Sequence, residues 1–236
     1  MKTIVVTGAA RGVGSSLVKQ FAAHSDYRVI AISRDEVQLK HLRQECIDEY
    51  GNTIHTYAVD FLKPNYIKDI EVVFGNHPGH IDILVNNAGL LVNAPFQETS
   101  PDQFEKIFRV NFEAPVAMIR QVVSHALPEK AVHVVNVGSM GGFQGSVKFP
   151  GLSAYSSSKA ALANLTECLA EEYKSTNIKF NCLALGSVQT DMLEQAFPGY
   201  QAQLSPDHAA VYMAEFALEG WRYFNGKIIP VSKETP

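Results

Sequence analysis

Thr3-Ile4-Val5-Val6-Thr7-Gly8-Ala9-Ala10-Arg11-Gly12-Val13-Gly14 is the stretch that decides the fold. A short β-branched run ends in a glycine-rich turn, and a helical pattern begins inside that turn. Glycine at 8 and 12 lets the backbone turn sharply and come close to a pyrophosphate. The helix that follows offers the anion free N–H groups and the positive end of its dipole. Strand, glycine turn and helix in that order mark a dinucleotide site, with Gly8, Arg11, Gly12, Val13 and Gly14 at the phosphates. A glycine-rich turn without a ligand is the plainer alternative, and the clean strand in front of it speaks against that.

The alternation continues along the chain. Candidate strands at 3–7, 28–32, 54–59, 81–85, 132–137, 179–183 and 227–231 alternate with helical patterns near 13–24, 35–50, 64–76, 102–126, 154–175 and 206–219. Repeated βαβ units with right-handed crossovers make a parallel sheet covered on both faces. The expected fold is α/β, a Rossmann-type doubly wound parallel sheet of about seven strands with helices on both faces. No repeat, low-complexity tract or linker divides the sequence, so residues 1–236 read as one domain.

Composition excludes several classes of function. The chain has 236 residues, 46% hydrophobic and 19% charged, with a formal net charge of −4 and no basic stripe to follow a phosphate backbone. Nucleic acid is therefore not an expected partner. The apolar run after Lys2 stops at Thr7-Gly8, short of the roughly 7–15 residues of an export segment. No other run approaches the roughly 20 residues that span a bilayer. A cytoplasmic protein without membrane contact is expected. Cys46, Cys168 and Cys182 form no Cys-x-x-Cys pair, and no metal is expected. His77-Pro78-Gly79-His80 reads as a surface turn.

The end of the second strand selects the nucleotide. An acid about 20 residues after the glycines accepts from a free ribose 2′-hydroxyl and repels a 2′-phosphate. Here the sequence is Ile32-Ser33-Arg34. Arg34 can pair with a phosphate, with Arg11 reaching from the other side, so NADP is favoured over NAD. Asp35 and Glu36 are read as helix-start residues, in a capping box from Ser33 to Glu36.

Tyr155-Ser156-Ser157-Ser158-Lys159 puts a phenol and an ammonium at i and i+4 on one helix face. At about 5 Å and an effective dielectric of about 20, their Coulomb energy is roughly 3 kcal/mol, or about two pK units off a phenol near 10. A tyrosine tuned toward about 8 serves as acid or base near neutrality. Alone, the pair would read as a solvated surface contact. Ser139, after the fifth strand at the same sheet edge, can hold a substrate oxygen, and Asn111 lies in the long helix before that strand.

Thr7-Gly8-x-x-x-Gly12-x-Gly14, Asn86-Asn87-Ala88-Gly89, Asn111, Ser139 and Tyr155-x-x-x-Lys159 stand in the order and approximate spacing of the short-chain dehydrogenase/reductase family, which the chain resembles from residue 3 to about residue 192. The resemblance implies catalytic roles: Tyr155 as proton donor to a carbonyl, Lys159 lowering its pKa and holding the nicotinamide ribose, Ser139 orienting the substrate oxygen, and Asn111 supporting a water between Lys159 and solvent. It also implies that Asp60 and Phe61 border the adenine, that Asn87, Ala88 and Gly89 line the cofactor groove, and that Val188 and Thr190 contact the carboxamide. The position of Arg34 resembles that of NADP-preferring members.

Three features depart from the family's usual pattern. Leu185-Gly186 stands where Pro-Gly is common, the interval from Ser139 to Tyr155 is longer because of Val147 to Gly151, and the usual glycine-rich tail is missing after Val231. A homodimer or homotetramer through the 102–126 and 154–175 helices is implied, with Phe104, Ile107, Phe108, Val116, Ile119 and Val123 serving core or interface. Candidate substrate walls are Leu90, Leu91, Met140, Phe143, Phe149, Met192, Leu193 and Phe197, which suit a small or medium apolar carbonyl or alcohol. The short segment from Asp191 to Ser205 leaves little material for a large lid.

The leading expectation is an NADP(H)-dependent oxidoreductase of carbonyl reductase or alcohol dehydrogenase type. A non-catalytic NADP(H)-sensing regulator or interaction protein is the alternative from another class, and would bind NADPH without turning over any carbonyl. A sugar-nucleotide epimerase or dehydratase is the third reading; it would return its nicotinamide unchanged.

Overall fold

The computed structural model describes residues 1–233. Strands β1 (Lys2–Thr7), β2 (Tyr27–Ser33), β3 (His55–Ala58), β4 (Ile83–Asn86), β5 (Val132–Ser139), β6 (Ile178–Leu185) and β7 (Lys227–Val231) pair in parallel in the order β3-β2-β1-β4-β5-β6-β7. The helices are α1 (Gly12–Ala22), α2 (Glu36–Tyr50), α3 (Tyr66–Asn76), α4 (Pro101–Phe108), α5 (Ala114–Ser124), α6 (Ser153–Glu172), α7 (Asp191–Ala196) and α8 (Pro206–Glu219). This is the expected Rossmann-like sheet, with strand ends displaced by a residue or two from their expected positions.

β1 explains why both faces are covered. Ile4, Val5 and Val6 are all fully buried, and the pleat sends Ile4 and Val6 to one side and Val5 to the other. Ile4 and Val6 join a core with Leu17 and Phe21 of α1, Leu39 of α2 and Met213 of α8. Val5 joins a second core with Phe74 of α3, Met118 of α5 and Phe180 of β6. Each such side chain contributes roughly 1.5–3 kcal/mol by leaving water. Because β1 lies between β2 and β4, the chain winds outward in both directions from it. A crevice therefore opens at the carboxyl ends of β1 and β4.

Four local expectations are corrected. The 102–126 segment is not one helix, because α4 and α5 are separated by a π turn at Arg109–Glu113. Pro115 supplies the reason: it has no N–H for the carbonyl of Asn111, and its ring displaces that carbonyl. The start of α2 is not capped by Ser33, which is the last residue of β2; Asp35 is the N-cap and accepts from the Gln38 N–H at 3.0 Å. In the His77-Pro78-Gly79-His80 turn only Pro78 and Gly79 are exposed. His77 is 8% exposed and bonds the Tyr57 hydroxyl at 2.8 Å, while His80 donates to the Ala131 carbonyl and accepts from the Leu127 N–H. Finally, the short helix α7 follows β6 where no element was expected.

Of the residues offered for core or interface, Ile107 and Ile119 belong to the core. Phe104, Phe108, Val116 and Val123 are half-buried, and Phe104 stacks on Phe108 beside the exposed Phe96. Among the described residues, no helix is long and apolar enough to cross a membrane, and no cluster of three His, Cys, Asp or Glu could hold a metal ion.

Candidate active site

Two turns at the sheet edge are sewn together. Thr7, at the end of β1, accepts with its buried hydroxyl from the backbone N–H of Asn87 and of Ala88, each at 3.1 Å. The Asn87 amide returns the tie by donating to the carbonyls of Thr7 and Gly8 at 3.1 and 3.2 Å. Gly8 and Gly12 take φ of +65° and +54°, a region closed to most side chains. They set the backbone so that α1 begins facing the crevice. Arg11, its N-cap, makes no side-chain capping bond, and its first turn holds no acid. A helix start with no cap of its own and no negative charge suits a phosphate.

The crevice is a cleft of about 440 Å³, within the roughly 300–1,000 Å³ of small-molecule sites. Gly8, Arg11, Gly12, Val13, Gly14, Arg34, Asp60, Phe61, Asn87, Ala88, Gly89, Val188 and Thr190 all line it, and so do Ser139, Tyr155 and Lys159. Every groove position expected from the sequence therefore meets in one place. At the end beyond β2, Arg34 lines the cleft while Asp35 and Glu36 do not. Asp35 is held in the α2 cap, and Glu36 pairs with Lys40 at 2.8 Å. No carboxylate from this turn is left to face a ribose. The side chain of Asp60 accepts from the Leu62 N–H at 3.0 Å and shapes the loop after β3.

At the other end, β5 and α6 bring three groups together. Ser139 closes β5, its Oγ accepts from the Gly141 N–H at 3.1 Å, and its hydroxyl lies near enough to the Tyr155 hydroxyl to ease ionisation of the phenol. Lys159 is 3% exposed. Its Nζ donates to the Val137 carbonyl at 2.7 Å and lies 5.9 Å from the centre of the Tyr155 ring. Burial lowers the lysine to about 8, against a smaller opposing influence of the Cys182 thiol. Burial also raises the Tyr155 phenol above its ordinary value, and Ser139 offsets only part of that.

This corrects the expectation of a phenol near 8. Spacing alone gave the attraction of the ammonium, but burial penalises the phenolate more, and the ammonium is turned to a backbone carbonyl. The lysine, not the tyrosine, sits near 8.

Asn111 does not line the cleft; it is fully buried behind it. Its amide donates to the Leu90 carbonyl and to the Ser158 hydroxyl, both at 2.9 Å, and its Oδ1 accepts from the Leu90 N–H at 2.7 Å. Ser158 in turn donates to the Tyr155 carbonyl at 2.7 Å. Asn111 thus pins the loop after β4 to the turn of α6 that carries the tyrosine.

Of the candidate walls, Leu90, Leu91, Met192 and Leu193 line the cleft, whereas Met140, Phe143, Phe149 and Phe197 do not. The last two pack on each other instead. Val110, Gln189 and Leu62 line the cleft and were not singled out in the sequence. Thr7 was also missed as a fastener, although a hydroxyl ending an apolar strand is a readable signal of one.

Comparisons with known proteins agree with this geometry. The family model for short chain dehydrogenases matches residues 2–201. The 3-oxoacyl-(acyl-carrier-protein) reductase FabG of Aquifex aeolicus is 28% identical over 242 residues, covering 98% of this chain and 96% of that protein. Protein FixR of Bradyrhizobium diazoefficiens is 30% identical over 251 residues, covering 98% and 85%. A short chain dehydrogenase from Shigella flexneri, solved in complex with NADP, superposes with a TM-score of 0.86 at 25% identity, over 97% of this chain and 96% of that one. The family match takes in the glycine turn, the β4 turn and the Ser139, Tyr155 and Lys159 group alike, and the chain belongs to the short chain dehydrogenase family of oxidoreductases.

Proposed function

We propose that this oxidoreductase is NADP(H)-dependent and exchanges hydride with a small or medium apolar carbonyl or alcohol, working as one catalytic domain. The observation that carries the reading is the meeting of Ser139, Tyr155 and Lys159 in the same cleft as an uncapped, acid-free helix start. Arg34 and Arg11 would hold the 2′-phosphate, since neither Asp35 nor Glu36 faces the cleft. When bound, the dinucleotide supplies or accepts the hydride.

The chain's own residues handle the proton. Ser139 and Tyr155 would share the substrate oxygen. A phenol raised by burial stays protonated at neutral pH, so Tyr155 enters carbonyl reduction as the acid. Lys159 gives the site its positive charge at and below about pH 8. Both hydrogens of the Asn111 amide are taken, by the Leu90 carbonyl and the Ser158 hydroxyl, so Asn111 would serve the site by holding the loop after β4 against α6. Leu90, Leu91, Met192 and Leu193 supply apolar walls.

The relatives support the reading without fixing the substrate: FabG carries the name of an acyl-carrier-protein reductase, and the Shigella protein was solved with NADP. Titrating NADH and NADPH separately by nucleotide fluorescence, then screening carbonyls with the tighter one, tests it. Tighter NADPH and turnover of apolar carbonyls are expected. Tight binding with no turnover across a broad panel would turn the reading to a nucleotide-sensing protein.

The pH dependence has a definite sign. For reduction, kcat/KM is expected to hold through neutrality and fall above about pH 8, as Lys159 loses its proton. Alcohol oxidation needs the phenolate and is expected to rise with pH across the same range. Profiles in both directions check this, and a reduction rate that climbed from pH 7 to 9 would contradict it. The half-buried face of Phe104, Phe108, Val116 and Val123 is proposed to pair with a second copy, so sedimentation is expected to give a multiple of the chain mass.

A further inference from the structure

Helix α7 (Asp191–Ala196) lines the cleft, capped at its start by the Thr190 hydroxyl, which accepts from the Leu193 N–H at 3.3 Å. It has six residues, and Ala196 is its only buried one. A helix that short is unstable alone, so its place depends on what it touches. At its start, Thr190 lies against the glycine turn, where a Cβ on Gly12 would meet the Thr190 methyl at 3.4 Å. Further along, the Met192 methyl reaches Gly89, where a Cβ would lie 3.7 Å from it and 3.8 Å from Lys159 Nζ. The helix therefore spans from the phosphate turn to the lysine.

Its far end is fastened by two loops. Asn93, in the loop after β4, donates to the Ala196 carbonyl at 2.6 Å. Phe149, in the lengthened loop before α6, meets Phe197 edge-on, with ring centres 6.0 Å apart and planes at 73°. The loops are joined to each other, since the Ala94 N–H donates to the Gly151 carbonyl at 3.1 Å. A Cβ on Gly151 would sit 1.9 Å from Asn93 Oδ1, so glycine is needed for this approach.

We propose that Phe149 is a positioning residue. Through Phe197 and the seam between Asn93 and Gly151, it holds α7 over the cleft and so sets where Thr190 and Met192 meet cofactor and substrate. It lines no part of the cleft itself, so its effect passes through α7. The extra length of the 143–151 loop supplies the ring that makes this contact. The kinetic consequence rests on the function proposed above; the mechanical one rests on the contacts alone.

Backbone hydrogen exchange of residues 193–197 in the unliganded protein separates the two. Phe149→Ala is expected to speed exchange there about three- to ten-fold, the range of one aromatic pair. Phe149→Tyr is expected to match wild type. Phe197→Ala and the double variant are expected to match Phe149→Ala, because all three remove the same contact. In turnover, Phe149→Ala is expected to raise KM for the carbonyl by a similar factor and leave kcat within about two-fold. Unchanged exchange, or effects of the two alanines that multiply in the double variant, would overturn the proposal. Absence of turnover in wild type would count against the proposed function, while the exchange data would still decide the role of Phe149.

Discussion

Tyr155→Phe is expected to lower carbonyl reduction by about 10²- to 10⁴-fold, the usual contribution of a positioned general acid, and to leave NADPH affinity within about three-fold. The change removes one hydroxyl from a ring whose packing stays the same. Ser139 would still bond the Gly141 N–H, and Lys159 would still bond the Val137 carbonyl, so the rest of the site keeps its shape. The fall should lie in kcat and in kcat/KM alike, the pattern of an interaction made in the transition state. Steady-state kinetics with a nucleotide-binding titration on the same sample checks it. A variant that kept a tenth of its rate would show that the proton comes from elsewhere.

Arg34→Asp is expected to reverse the nucleotide preference. A charge-assisted bond to a phosphate contributes about 1.5–3 kcal/mol, so losing the guanidinium alone weakens NADPH about 10- to 100-fold. A carboxylate in its place repels the 2′-phosphate and offers the free 2′-hydroxyl of NADH an acceptor. The effect is large because the turn that carries Arg34 holds no rival acid: Asp35 caps α2 and Glu36 pairs with Lys40. Comparing kcat/KM for the two nucleotides in both proteins measures it. An unchanged preference would move the discrimination to Arg11, which lies 3.8 Å from Asp191 in an exposed ion pair of little strength.

Much of this architecture was legible in the sequence because it is written in local periodicity. Ile4-Val5-Val6 running into Gly8 and Gly12 read as a strand feeding a ligand turn, and the alternation of strands and helices read as a doubly wound sheet, whose switch point lies between β1 and β4. What escaped was decided by contacts or by burial. Ser33 was expected to cap α2, but the strand claims it and Asp35 caps the helix instead. Pro115 did announce the break between α4 and α5, but the apolar period on either side of it read as continuous. Helix α7 is too short to show a period at all. The acidity of Tyr155 was misjudged for a related reason: i, i+4 spacing reports the neighbouring charge, but not the desolvation that outweighs it. His77 and His80 turned inward because Tyr57 and the 127–131 loop offered partners that no sequence window contains.

On the proposed reading, a phenol and a dinucleotide act on one substrate carbon and oxygen in this cleft. Reduction of a carbonyl substrate with NADPH carrying deuterium at the transferable position of its nicotinamide tests it most directly, with the alcohol product analysed by mass spectrometry. One deuterium on the new carbinol carbon is expected with the wild-type protein, and almost none in the same time with Tyr155→Phe. Alcohol formed without deuterium, or deuterium transferred equally well by the variant, would contradict it.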